Sequence, residues 1–338
     1  MKLVRIALVL IMALILVGGV FAAGGRQRGD GLTRAFIAGT NGPADTQSMG
    51  HFELARRLNA MGGWDVTAFV SSELGSTDDV TEQALQGAPI IAATDPSRLA
   101  VYTPEIGILM MPYLFDCYSQ IDGLMETALY QEWVISLRQQ GIELLTNNSL
   151  TGWRNWITNR PIRTPADLNG LRIRTMGNPI AINSVAAMGA IPIAMAQDLA
   201  YHAIQTGVVD GGEWQIPTIY SLRLFEVANH ISLSRHFLLM VSLVTGTSWF
   251  NTLSPEQQTQ LRNTTVETFR DNQAIVIEYE NRFLDRMRTQ HGVVVVENPD
   301  RSAFQRASAH LYSCRETSLG ADFEFLRTEL LRQLGIAR

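Results

Sequence analysis

Apolar positions along this chain change their period in a regular order. Residues 34–38 form a short apolar run, and Leu54, Leu58 and Met61 recur at helical spacing before Gly62-Gly63. Residues 64–70 then alternate apolar with polar side chains. A period of two marks a strand and a period near 3.6 marks a helix face, so this stretch reads as strand, helix, strand. Ser76-Thr77-Asp78 supplies the start of a helix running to Leu85, and residues 89–93 read as a further buried strand. Such β-α-β-α order predicts a largely parallel sheet covered by helices.

A second unit repeats the style. Residues 172–175 read as strand, 178–188 as helix, 191–195 as strand and 199–205 as helix, closing with 208–214 and a helix around 218–225. Extended crossings near residues 150 and 236 join the two units. The expectation is an α/β, two-lobed, hinged protein, each lobe a β-sheet flanked by helices. Residues 32–150 plus about 237–270 make the first lobe, and 151–236 plus about 271–338 the second. Ligands of such folds bind at the carboxyl ends of the strands, which places the site in the cleft between lobes.

Length is the third signal. Neither glycine nor proline occurs between Pro255 and Gly292, and Ser254-Pro255-Glu256 is a strong helix start. One helix of about 36 residues would extend roughly 54 Å at about 1.5 Å per residue. Val276, Tyr279, Phe283 and Met287 share a face, but few heptads are sustained, which sets a dimerising coiled coil behind a helix that crosses both lobes.

Composition narrows the function. The formal net charge is −5, with 17% charged residues and no basic cluster, which argues against a nucleic-acid partner or an acidic membrane surface. Residues 1–23 read as a cleaved secretory signal peptide: Lys2 and Arg5 precede an apolar run and Ala22-Ala23 supplies the small residues. That run is about 12 residues, short of the roughly 20 that an uncleaved spanning anchor needs. Cys117 and Cys314 lie far apart; two such cysteines more often remain separate buried thiols than form a disulfide.

The chemistry concentrates between Gly152 and Trp214. Arg154 and Arg174 stand on β-like segments of a low-charge region, read as neighbours. Arginine keeps its proton and offers a planar fork of donors, so each one placed in an apolar strand needs an anionic partner. No Gly-x-Ser-x-Gly, phosphate loop, GxGxxG or His-Glu-x-x-His occurs, and the six histidines show no metal spacing. The expectation is a binding protein without a cofactor and not an enzyme.

Several runs in combination carry a family resemblance: GWRNWITNRPIRTPADLNGLRIRTMGNP, AMGAIPIAMAQDLAYHAIQTGVVDGGEWQIP and FEVANHISLSRH, with ELARRLNAMGG, SSELGSTDD and YTPEIGILMMPYLF before them. Over nearly all of the chain after residue 30 it resembles the solute-binding subunit (DctP-type) of TRAP (tripartite ATP-independent periplasmic) transporters. The resemblance implies a periplasmic receptor that closes on a small organic anion and delivers it to a TRAP-type membrane permease. A receptor-like protein exchanging an apolar ligand with an accessory helical-repeat periplasmic partner is the other reading it allows.

It further implies that Arg174 takes the ligand carboxylate bidentately and that Arg154 supports it. Trp214 departs from the asparagine that many members carry after their Asp-Gly-x-Glu run. An indole there offers stacking or apolar area, which favours keto acids or acids with an apolar portion over sialic-acid-like ligands. Asn178 and Gln215 are polar neighbours at element ends. Asn41 and Thr94 follow first-lobe strands, and Phe237 follows the second crossing. No metal site is expected, although Glu213 and Asn155 are the oxygen donors a cation would find.

Overall fold

The computed structural model describes residues 31–336. The signal peptide expected over residues 1–23 lies outside the described residues. Among those described, no helix is long and apolar enough to cross a membrane.

Two sheets organise the chain. The first is built from β1 (Thr33–Ala38), β2 (Trp64–Phe69), β3 (Ile90–Thr94), β4 (Ile142–Trp153) and β10 (Leu238–Gly246), in the order β2-β1-β3-β10-β4. The second orders β11 (Val294–Val296), β9 (His230–Ser232), β5 (Asn155–Thr158), β8 (Gly211–Trp214), β6 (Arg172–Thr175) and β7 (Ile191–Ala194) as β11-β9-β5-β8-β6-β7. β1 pairs in parallel with β2 and β3, and β6 with β7 and β8. The expected parallel order therefore holds within the β-α-β units. It fails at the crossings: β10 runs antiparallel to β3 and β4, and β5 antiparallel to β8 and β9. A chain that enters the second lobe and returns must insert strands of opposite direction.

Period-two burial explains why each sheet carries helices on both faces. Along β1 and β3, Ala35, Ile37, Ile91 and Ala93 join one core, while Ala38, Ile90 and Ala92 join another. In β5, Trp156 faces a third core and Ile157 a fourth. Helices α1 (Thr46–Ala60), α2 (Thr77–Leu85), α3 (Pro96–Leu99) and α4 (Ala128–Gln139) belong to the first lobe, and α5 (Pro179–Ala187), α6 (Ala200–Gln205) and α7 (Ile216–Ser221) to the second. Of the face expected in α1, Leu54 and Leu58 are fully buried. Met61 is 49% exposed because the helix ends before it.

The short helix α8 (Thr247–Phe250) leads into α9 (Pro255–His291), a single helix of 37 residues. Ser254 accepts from the Gln257 amide and Gln257 answers its backbone, a closed capping box, while Gly292 ends the helix at φ 67°. Leu261 and Phe269 of α9 sit in a first-lobe core, whereas Phe283 and Met287 sit in a second-lobe core. One helix thus braces both lobes. After it, α10 (Arg301–Ser308) buries Phe304 beside Trp156, but α11 (Phe323–Gln333) sends Leu326 and Leu330 into the core of the first sheet. Cys117 is exposed and Cys314 half-buried, and both are free, which corrects the expectation of buried thiols.

The candidate anion cleft

Arg154 and Arg174 are not neighbours across a ladder, because β8 lies between their strands. Arg174 of β6 pairs in register with Gly212, while Arg154 immediately precedes β5, whose Asn155 and Trp156 face Trp214 and Glu213. The two guanidinium groups therefore reach the same strand from opposite sides, and they meet different partners.

Arg154 is satisfied by protein. Its Nε donates to a Glu213 carboxylate oxygen and its Nη2 to the Glu213 main-chain carbonyl. Glu213 also accepts from Thr175 Oγ1 at 2.9 Å and lies 3.4 Å from His236 Nε2. Burial alone would raise the Glu213 carboxyl, but the Arg154 charge and the His236 and Arg154 hydrogen bonds outweigh it and hold the pKa at about 2. Burial depresses the His236 imidazole, which stacks on Trp156 at 4.5 Å and meets Ser234 Oγ at 2.8 Å. Phe237 lies under Arg154, with the guanidinium carbon 5.4 Å from its ring centre. Phe237 is thus a support for Arg154.

Arg174 is different. It is only 4% exposed, and among the described residues no carboxylate pairs with it. Nε and Nη2 both donate to the Met195 carbonyl, at 3.2 and 2.9 Å. Burial and then the nearby Arg154 charge pull its pKa down to about 9, so it carries its proton at neutral pH and lacks a matching anion. The asymmetry between a paired and an unpaired buried arginine is the central feature of this region.

Trp214, expected to offer its ring to a ligand, is fully buried and stacks on Arg174, with the guanidinium carbon 4.8 Å from the ring centre. Glycine at 212 permits this, since a Cβ there would overlap the indole. Trp214 Nε1, Asn178 Nδ2, Gln215 Nε2 and Thr94 Oγ1 are all buried without a hydrogen-bond partner. Asn178 meanwhile caps α5 through Oδ1 on the Ala181 amide at 2.9 Å. Three of these four atoms are obligate donors, and a buried donor costs free energy until an acceptor meets it.

Asn41, expected to touch the ligand, already has protein partners. Its Nδ2 donates to Gln47 Oε1 at 2.7 Å and its Oδ1 accepts from Gln197 Nε2 at 2.8 Å. The two oxygen donors named for a cation are engaged as well: Glu213 as above, and Asn155 Oδ1 by the Arg235 amide at 3.2 Å. A separate cavity of about 270 Å³ lies among the 121–126 segment, β4, Met240 and α9, and none of the predicted site residues line it. Sequence reasoning missed Gln197 and the role of His236, since neither forms a motif; only the fold brings them against Asn41 and Glu213.

Residues 38–317 match the family described as bacterial extracellular solute-binding protein, family 7 (DctP). The chain is 29% identical over 240 residues to the 2,3-diketo-L-gulonate-binding periplasmic protein YiaO of Escherichia coli K12, covering 71% of this chain and 73% of the relative. Among solved structures it resembles a TRAP periplasmic solute-binding protein of Actinobacillus succinogenes 130Z with bound L-galactonate. There the identity is 26%, the TM-score 0.83, and coverage 89% of this chain and 100% of the other. A counterpart described as from Ochrobacterium anthropi, with bound L-fuconate, gives 29% identity and a TM-score of 0.81, covering 88% of this chain and 99% of the other. The two-sheet fold thus belongs to a known architecture, and the chain is a member of the TRAP periplasmic solute-binding protein family.

Proposed function

We propose that this receptor binds a small organic acid between its lobes, with Arg174 taking the carboxylate, and closes by hinge bending for delivery to a membrane permease. The observation that carries the reading is the unpaired, buried Arg174 guanidinium, oriented by the Met195 carbonyl and the Trp214 ring. A carboxylate on the remaining face of the fork supplies the missing charge, and desolvated charge-assisted bonds of this kind contribute roughly 1.5–3 kcal/mol. The unpartnered donors of Trp214, Asn178 and Gln215 call for further acceptor oxygens, which suits keto and hydroxy acids. The relatives named for or solved with diketogulonate, galactonate and fuconate carry that chemistry.

Arg154 serves this site indirectly, because Glu213 already neutralises it. Its ion pair holds the start of β5 against β8 at the point where the chain crosses lobes. Closure is a population shift: a ligand that contacts both lobes favours the closed form by its differential affinity. Export by cleavage after residue 23 places the receptor where the permease can be reached.

The test is a thermal-shift screen of the chain from residue 24 against sugar acids, short keto acids, aromatic acids and fatty acids. A rise in melting temperature confined to one class of carboxylate, absent in Arg174→Ala, is the expected result. If no acid in the set shifts the wild-type transition, the anion reading falls.

A further inference from the structure

The anchor and the opposite lobe are linked through three consecutive residues. Arg174 holds the Met195 carbonyl with two donors, and two residues on Gln197 Nε2 donates to Asn41 Oδ1 at 2.8 Å. Met195–Gln197 follows β7, the edge strand of the second sheet, whereas Asn41 follows β1 inside the first. Asn41 is firmly placed: Nδ2 donates to Gln47 Oε1 at 2.7 Å, and its carbonyl accepts from Ser48 Oγ at 3.1 Å and the Ser71 amide at 2.8 Å. Turning over the Asn41 amide alone would lose the Gln47 bond and present a donor to the Gln197 donor. Asn41 is buried and Gln197 half-buried, so water competes only partly for the bond.

We propose that Gln197 is a positioning residue that latches the second lobe onto Asn41 and, through Met195, ties lobe closure to Arg174. The proposal rests on the cleft between lobes being the binding site. A side-chain bond between these two loops requires the lobes to be close, so it favours the closed form before any ligand arrives. One net hydrogen bond shifts a two-state equilibrium by roughly two- to tenfold. A ligand that finds the closed form already populated binds with correspondingly higher apparent affinity. The link to Arg174 follows from Met195: a guanidinium holding that carbonyl fixes the segment from which Gln197 projects.

The test needs no ligand, so it stands apart from the acid screen. Spin labels on Glu73→Cys and Val208→Cys, with Cys117 and Cys314 replaced by serine, report the lobe separation by electron–electron dipolar spectroscopy. The ligand-free protein is expected to show a short-distance population. Gln197→Ala should lower the ratio of short to long distances roughly two- to tenfold, and Asn41→Ala should add nothing to it. Gln197→Glu, which sets an acceptor against Asn41 Oδ1, should act in the same direction and serves where the alanine variant fails to fold. Arg174→Lys, with one point of donation instead of a fork, should also lengthen the distances. A single long distance in the parent, or unchanged distributions in both Gln197 variants, overturns the latch. Additive effects of Gln197→Ala and Asn41→Ala overturn the pairing, and an unmoved Arg174→Lys overturns the tie to the anchor.

Discussion

Two arginines of the same type, twenty residues apart, have opposite fates because of what the strand between them carries. Glu213 points to Arg154 and pairs with it, and Trp214 covers Arg174 without neutralising it. Arg174→Ala is therefore expected to weaken acid binding at least roughly tenfold, about 1.4 kcal/mol, by titration calorimetry. Unchanged affinity in a folded variant would remove Arg174 from the site. Trp214→Phe keeps a stacking ring but deletes the unpartnered Nε1 donor, so a several-fold loss is expected for keto and hydroxy acids. Loss of equal size for an acid without additional oxygens would show that Nε1 meets no ligand acceptor. Residue type and position single out Arg174 and Trp214 as candidates, but their stacking on one another is a tertiary contact. The bond between Asn41 and Gln197 was not legible, since no local pattern records a contact between residues 156 apart.

Among elements, the crossing strand β4 and helix α9 meet where the lobes join. Gly152 has φ +114°, and a Cβ there would stand 2.7 Å from Glu280 Oε1 of α9. That same oxygen accepts the Trp153 amide at 3.0 Å, while Oε2 accepts Tyr118 Oη at 2.6 Å. Gly152→Ala is expected to cost about 1–3 kcal/mol in urea unfolding, from backbone strain and displacement of Glu280. A midpoint equal to wild type would mean the crossing relaxes freely. The long helix itself was readable from the uninterrupted run and its Ser-Pro-Glu start, because capping and the lack of breakers are local properties. Strand direction at the crossings was not, because antiparallel insertion depends on the chain leaving one sheet and returning to it.

At the scale of the whole molecule, burial of ionisable groups sets the acid response. His51 lies fully buried in α1, edge-on to Phe269, and burial lowers its pKa from 6.5 to about 4. The folded state thus keeps it neutral while the unfolded chain takes up a proton below pH 6.5. Its contribution is complete above that pH and is lost as pH falls toward 4, up to about 3 kcal/mol. His236 shifts in the same direction. Glu213, held at about 2 against 4.5, adds stability that is lost only as pH falls from about 4.5 toward 2. Melting temperature should therefore be level between about pH 7 and 8 and fall from about 6.5 downward, with a shallower fall between 6.5 and 4 in His51→Leu. The same slope in the variant would exclude His51 as the source. By itself the sequence determined the β-α order, the bracing helix and the arginine-rich segment, since periodicity, caps and residue chemistry act over a few neighbouring positions. Only the tertiary structure decided which arginine is neutralised, where the indole stacks and which amides span the lobes, because those depend on distances between strands that are remote along the chain.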